Sequence, residues 1–213
     1  MTIQENLFDV NCCRCPRLSA FLSEVRVSHP GYYAAPVPAF GDDSPGLLIV
    51  GLAPGMHGAN SSGRPFTGDQ SGEMLFQTLY KYGFSNAPES LSMDDGLALH
   101  NCRITNAVKC LPPQNRPTTA EVKQCGMFLA AELEALKKGS VVIALGSIAH
   151  AAVLRALGIK LAEHKFGHAD EHQISDGLVM IDSYHCSRYN TQTRRLTEPM
   201  FQAVFARAKT LMP

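Results

Sequence analysis

The chain has 213 residues, and its nineteen Lys plus Arg are balanced by nineteen Asp plus Glu. That length fits one large domain or two small ones, and zero net charge excludes a global field drawing nucleic acid or membrane to the whole surface. An anionic partner must be held by local groups. No apolar stretch approaches the ~18 residues of a bilayer span, and the start MTIQENLFDVNCC has no basic segment leading into an apolar one, so a soluble cytoplasmic protein without membrane association is expected.

Along the chain, PRLSAFLSEVRV (16–27) reads as a helix, and SHPGYYAAPVPAFGDDSPG (28–46) as an irregular connection broken by Pro and Gly. A strand is expected at Leu47–Val50, followed by the Gly-dense GLAPGMHGANSSGRPFTGDQSG (51–72). Helices are expected over Met74–Tyr82 closed by Gly83, Thr118–Lys138 with a Thr118/Glu121 capping box and Gly139 behind it, Ser147–Leu157 closed by Gly158, and Thr197–Leu211. The short β-branched runs at 103–108, 141–145 and 178–182 read as strands.

Alternating strands and helices predict a three-layer α/β/α fold with a mostly parallel central sheet of about four strands, in a single domain over 1–213. In such sheets ligands sit outside the carboxyl ends of the strands, which directs attention to 51–69, 106–116, 146–147 and 183–193.

Seven cysteines are an odd number for a reducing compartment, where metal ligation, burial or reactivity is commoner than disulfide pairing. Cys12 and Cys15 form a C-x2-C pair, and Cys110 and Cys125 flank fourteen residues. Four thiolates in a two-plus-two arrangement suit tetrahedral zinc or a [4Fe-4S] cluster, and spacing alone leaves both open. Cys13, Cys102 and Cys186 are surplus to such a site, and Cys102, opening an apolar strand, is a small packed side chain.

CCRCPRL, PVPAFGD, LLIVGLAPGMHGANSSGRPFTGD, ITNAVKCLPPQNRP with EVKQC, and SYHCSRYNTQTRRLT together closely resemble the family 5 (UDGb-type) iron-sulfur uracil-DNA glycosylases, in order and through nearly the whole chain. The resemblance implies the glycosylase α/β/α fold, uracil removal from DNA with tolerance of other deaminated bases, and a structural [4Fe-4S] cluster on Cys12, Cys15, Cys110 and Cys125 that docks the N-terminal Cys pair on the domain. DNA, single- or double-stranded, is the implied partner, and a monomer the implied state.

A base inside a duplex must be flipped out before its glycosidic bond can be reached, at a few kcal/mol of unstacking. The small residues Gly51, Leu52, Ala53, Pro54 and Gly55 would form the first wall of a base pocket. By resemblance Phe66 stacks on the base, a contact worth ~1–3 kcal/mol in comparable cases. Likewise Asn106 reads the base edge with its amide, and His185 stabilises the departing anion at O2.

Family 4 carries an acid after the first Gly of this motif, whereas Leu52 stands here. That leaves Asp69 to activate water or to face the cationic sugar, although an Asp before a helix is also a favoured N-cap. Gly55, where many members have Ala, is a second departure.

Arg64, Lys109, Arg116, Arg188, Arg194 and Arg195 lie near these segments as phosphate contacts, with Gly146 and Ser147 as a helix-terminal clamp. Arg188 or Tyr189 is the expected wedge filling the gap left by a flipped nucleotide. The alternatives are a glycosylase chiefly for hypoxanthine or xanthine, an inert iron-sulfur DNA-binding protein, or a zinc-stapled nucleic-acid module.

Overall fold

Residues 8–213 are described by the structure, a computed structural model. Four parallel strands form its centre: β2 (Leu47–Gly51), β3 (Cys102–Asn106), β4 (Val141–Leu145) and β6 (Leu178–Ser183). Two short antiparallel strands close the edges, β1 (Phe40–Gly41) on β3 and β5 (Glu171–Ser175) on β6, giving the order β1-β3-β2-β4-β6-β5.

The sheet thus has six strands among the described residues, and both additional ones are edges. Two residues within the Pro-rich connection carry no detectable period. EHQIS alternates exposed and buried positions but lacks the β-branched run that marks the central strands.

The strand sequences LLIVG and VVIAL are buried throughout, as expected when helices cover both faces of a parallel sheet. Leu48, Val50, Val142, Ala144 and Met180 face one layer, built from α1 (Pro16–Ser28), α4 (Thr119–Glu134) and α5 (Ser147–Ala156). Leu47, Ile49, Val141, Ile143 and Ile181 face the other, built from α3 (Gln70–Lys81) and α7 (Glu198–Leu211). The short helices α2 (Ala59–Ser62) and α6 (Arg188–Gln192) lie in the loops after β2 and β6.

Helix boundaries follow local chemistry. Thr118 and Glu121 form the reciprocal capping box that starts α4, with Thr118 N donating to Glu121 Oε2 at 2.7 Å. This helix stops at Glu134, four residues before the expected end, and Gly139 N instead donates to Gly177 O at 2.7 Å. Helix α3 begins four residues early, at Gln70, because Asp69 caps a polar first turn that carries no apolar period. No helix among the described residues is long and apolar enough to cross a membrane.

Candidate active site

The carboxyl ends of the parallel strands deliver the candidate residues. Gly51 ends β2 opposite Asn106, which ends β3, and β6 runs through Ser183 towards His185. Beyond these ends opens a cavity of about 530 Å³ whose lining includes Leu52, Gly55, Phe66, Asp69, Asn106 and His185. Ala53 also lines it, while Gly51 and Pro54 are buried behind the wall.

Phe66 is held in place by two glycines. A Cβ on Gly51 would stand 2.7 Å from the Phe66 ring, and one on Gly72 would stand 1.8 Å from the Phe66 carbonyl oxygen. Phe66 itself has φ 55°, in the left-handed region that a bulky residue adopts only when its surroundings impose it. Its ring lies near-parallel to that of His185, 6.0 Å between centroids.

Asn106 is buried, and its Oδ1 has no hydrogen-bond partner among the described residues. A buried carbonyl oxygen without a donor costs about 1–3 kcal/mol, and at the wall of this cavity the Asn106 acceptor is placed where a ligand N–H could meet it.

Asp69 divides its two oxygens. Oδ1 accepts from Gly72 N at 3.0 Å and caps α3, whereas Oδ2 faces the loop where Gly55 and Gly58 lack side chains; a Cβ on Gly58 would stand 2.4 Å from it. Burial pushes the carboxyl pKa up, the Gly72 and Ser71 N–H groups pull it down, and nearby Glu73 pushes it up again; the net shift is upward. One side chain thus caps α3 with one oxygen and turns the other away from the cap.

His185 opens partly to the cavity, yet the protein around it pushes its pKa down to about 4, so the ring is neutral near pH 7. Asn190 Nδ2 donates to its backbone carbonyl at 2.8 Å. A second cavity of about 220 Å³ adjoins the first, sharing Leu52 and His185 and reaching Ser147 and Arg195.

The loops also contribute residues that sequence reasoning missed: His57, Ser71 and Asn115 line the main cavity. His57 Nδ1 lies 2.8 Å from the Tyr32 hydroxyl, a contact between loops 25 residues apart that no local pattern announces.

Two of the expected phosphate contacts are corrected. Arg64 is only 4% exposed; it pairs with Asp95 at 2.8 Å, donates to Met93 O at 2.6 Å and lies over the Phe40 ring. Lys109 is equally buried and pairs with Glu132 at 2.7 Å. Each spends its charge on an internal carboxylate, so neither can meet a phosphate. Arg116, Ser147, Arg188, Arg194 and Arg195 are exposed, and Arg188 lines the main cavity. Tyr189, in the first turn of α6, is 71% exposed.

Cys12, Cys15, Cys110 and Cys125 converge on one small cavity between α1, α4 and the loop after β3, whereas Cys13 is exposed and does not line it. Burial, followed by the neighbouring Cys125, Cys12 and Cys15, pushes Cys110 up to about 12. Burial and then Cys125 likewise raise Cys15. Four thiols gathered on one cavity could serve together as ligands of a metal centre, whose charge would favour their ionised form. Lys109 N donates to Cys125 Sγ at 3.3 Å, and Arg17 joins α1 to Glu121 of α4 at 2.6 Å beside the thiols.

Residues 38–209 match the uracil DNA glycosylase superfamily. The chain is 45% identical to a type-5 uracil-DNA glycosylase of Thermus thermophilus over 94% of this chain and 93% of the relative. It is also 45% identical to one of Pyrobaculum aerophilum (93% and 88%) and 40% identical to one of Mycobacterium leprae (99% and 96%). An α/β/α sheet with Gly51, Phe66, Asn106 and His185 gathered at its carboxyl edge, together with likeness over nearly the full length, makes this chain a member of the type-5 uracil-DNA glycosylase family.

Proposed function

We propose that the chain is a monofunctional DNA glycosylase that hydrolyses the N-glycosidic bond of uracil in DNA and so initiates base excision repair. The observation carrying this reading is the buried, partnerless Asn106 Oδ1 in a cavity shared with Phe66, Asp69 and His185. Uracil N3–H supplies the missing donor, and the amide N–H₂ meets O4. Phe66 offers a face to the flat base.

As the bond breaks, negative charge gathers on the base and positive charge on the sugar. Neutral His185 donates a ring N–H to O2, needing no charge of its own because the charge forms on the substrate. Asp69 Oδ2 takes a proton from the attacking water and faces the cationic sugar. No lysine lines the cavity among the described residues, which supports release of an intact abasic strand.

Cys12, Cys15, Cys110 and Cys125 hold a [4Fe-4S] cluster in this reading, and their convergence on one small cavity supports a metal centre there. Its contribution is structural, joining α1 to α4 within one folded unit. The protein acts on DNA as a cytoplasmic monomer, with Ser147, Arg188 and Tyr189 at the strand; Arg188 or Tyr189 fills the vacated position in the duplex.

Single-turnover base release from U:G, U:A, hypoxanthine and xanthine duplexes tests the assignment. Fastest release of uracil without alkali-independent nicking is expected. Faster release of a purine would transfer the assignment to that base, and DNA binding without any release would overturn catalysis.

A further inference from the structure

Four histidines and an aspartate outside the cavity surround the segment that carries His185. Asp182 is fully buried at the end of β6. Its Oδ1 lies 2.8 Å from His150 Nδ1 on α5, and its Oδ2 lies 2.9 Å from His172 Nε2 on β5. His150 Nε2 lies 3.1 Å from the His164 carbonyl oxygen, and the His164 ring packs edge-on against His172. Two residues on from Asp182, Tyr184 N donates to His168 Nδ1 at 3.1 Å, and the His168 and Tyr184 rings stack 5.0 Å apart.

The partners fix the protons. Both nitrogens of His150 face acceptors, a carboxylate and a carbonyl, so both must carry hydrogen and the ring is an imidazolium. His168 Nδ1 receives an N–H, so it must carry none. His172 Nε2 faces the second carboxylate oxygen and so carries hydrogen as well. The buried carboxylate therefore has a cation beside it, the condition under which a buried charge is tolerated.

Every residue from Asp182 to His185 is thereby held by a group outside the segment. Asp182 is gripped by α5 and β5, Ser183 O accepts from Gly146 N at 2.8 Å, Tyr184 N is held by His168, and His185 O by Asn190. None of these holding groups lines the main cavity. We propose that His168 and the His150–Asp182–His172 cluster are positioning residues that fix the His185 ring for reaction, with His150 held as imidazolium.

Burial alone would lower the His150 pKa, but the hydrogen bond and charge of Asp182 outweigh it and the net shift is upward; His168 is shifted downward, chiefly by burial. Both directions favour the proton states that the contacts require.

This inference rests on the role given to His185 above, so His185→Ala is the reference. Misplacing a reacting group by about 1 Å costs up to ~100-fold, so His168→Ala is expected to slow single-turnover uracil release roughly 10–100-fold while binding to a duplex carrying a non-hydrolysable uracil nucleotide stays within about twofold. His168→Asn, whose amide oxygen can accept from Tyr184 N, should recover most of the rate. Wild-type speed in His168→Ala, or no recovery in His168→Asn, overturns the proposal.

Wild-type speed in His185→Ala would instead overturn the assignment of His185 itself. Because Asp182→Asn can fail to fold, the cluster is read in the intact protein: nitrogen-resolved NMR at neutral pH should show protons on both ring nitrogens of His150. A single ring proton there, or stoichiometric zinc bound by the three side chains, overturns the imidazolium.

Discussion

Gly51 and Asn106 face each other across parallel strands, and a Cβ on Gly51 would stand 2.4 Å from Asn106 Oδ1 as well as 2.7 Å from the Phe66 ring. Gly51→Ala therefore displaces the Asn106 amide and the Phe66 ring together. Overpacking of this kind costs about 1–3 kcal/mol, and base release should fall by more than the stability loss explains. Thermal melting and single-turnover rates on one preparation check this; an unchanged rate would remove Asn106 and Phe66 from the pocket.

The cap that Asp69 forms and the base role proposed for it are separated by two substitutions. Asp69→Ala should lose about 1 kcal/mol of stability with the cap and about 10²–10⁴-fold in rate with the base. Asp69→Asn keeps an oxygen for Gly72 N, so it should melt near wild type while losing the same rate. Comparable rate retention in both variants would reduce Asp69 to a cap.

The pKa shifts set a signed pH dependence. Asp69 works as a carboxylate and its pKa is raised above the ordinary 3.8, so base release should fall as acid is added through that raised value, and Asp69→Asn should lack this limb. His185 stays neutral down to about 4 and contributes a change only there. For stability the sign reverses. A carboxyl pKa raised on folding contributes stability fully below its unfolded value and loses it as pH rises through the folded one, so Asp69→Asn should flatten that decline in a melting series.

Arg64→Ala should cost about 1–3 kcal/mol, because it empties a buried site and removes one of the partners of Asp95, and should leave the salt dependence of DNA binding unchanged. Burial raises the Asp95 carboxyl, but the Arg64 guanidinium and three backbone N–H groups outweigh it and hold it well below the carboxylate range. The pair's stability is therefore present above the unfolded pKa and lost as pH falls. Arg188→Ala is the contrast: near-normal melting and a salt slope reduced by about 1.

Cys110→Ser should abolish bound iron and sulfide and lower the melting temperature, whereas Cys13→Ser, on an exposed thiol that does not line the shared cavity, should leave both unchanged. Metal analysis and absorbance of anaerobically purified protein decide this, and equal iron in the two variants would remove Cys110 from the ligand set.

The central strands and all five long helices were legible in the sequence because uninterrupted apolar runs and caps at Thr118, Gly83 and Gly158 are local signals. Leu52, Gly55, Phe66, Asn106 and His185 at the cavity were legible by motif, and Asp69 also by its place before a helix, whereas His57, Ser71 and Asn115 carried no such signal. Arg64 misled because a charge in a Gly-rich loop reads as surface until its carboxylate is found, and Asp95 lies 31 residues away. The histidine cluster was invisible for the same reason: His150, His172 and Asp182 sit on three elements and acquire meaning only through pairing of β5 with β6.

Helix α1 begins immediately after Cys15 and runs thirteen residues toward the segment that reaches the other site. Beyond its far end, Tyr32 meets His57, while Tyr33 N and Ala34 N donate to Ser61 O and Asn60 O at 3.0 Å. The helix is thus a strut between the sulfur centre and the lip of the base pocket. Loss of order at the thiols would be felt as slack where the extruded nucleotide enters, tying the shape of that entrance to the integrity of a site one helix away.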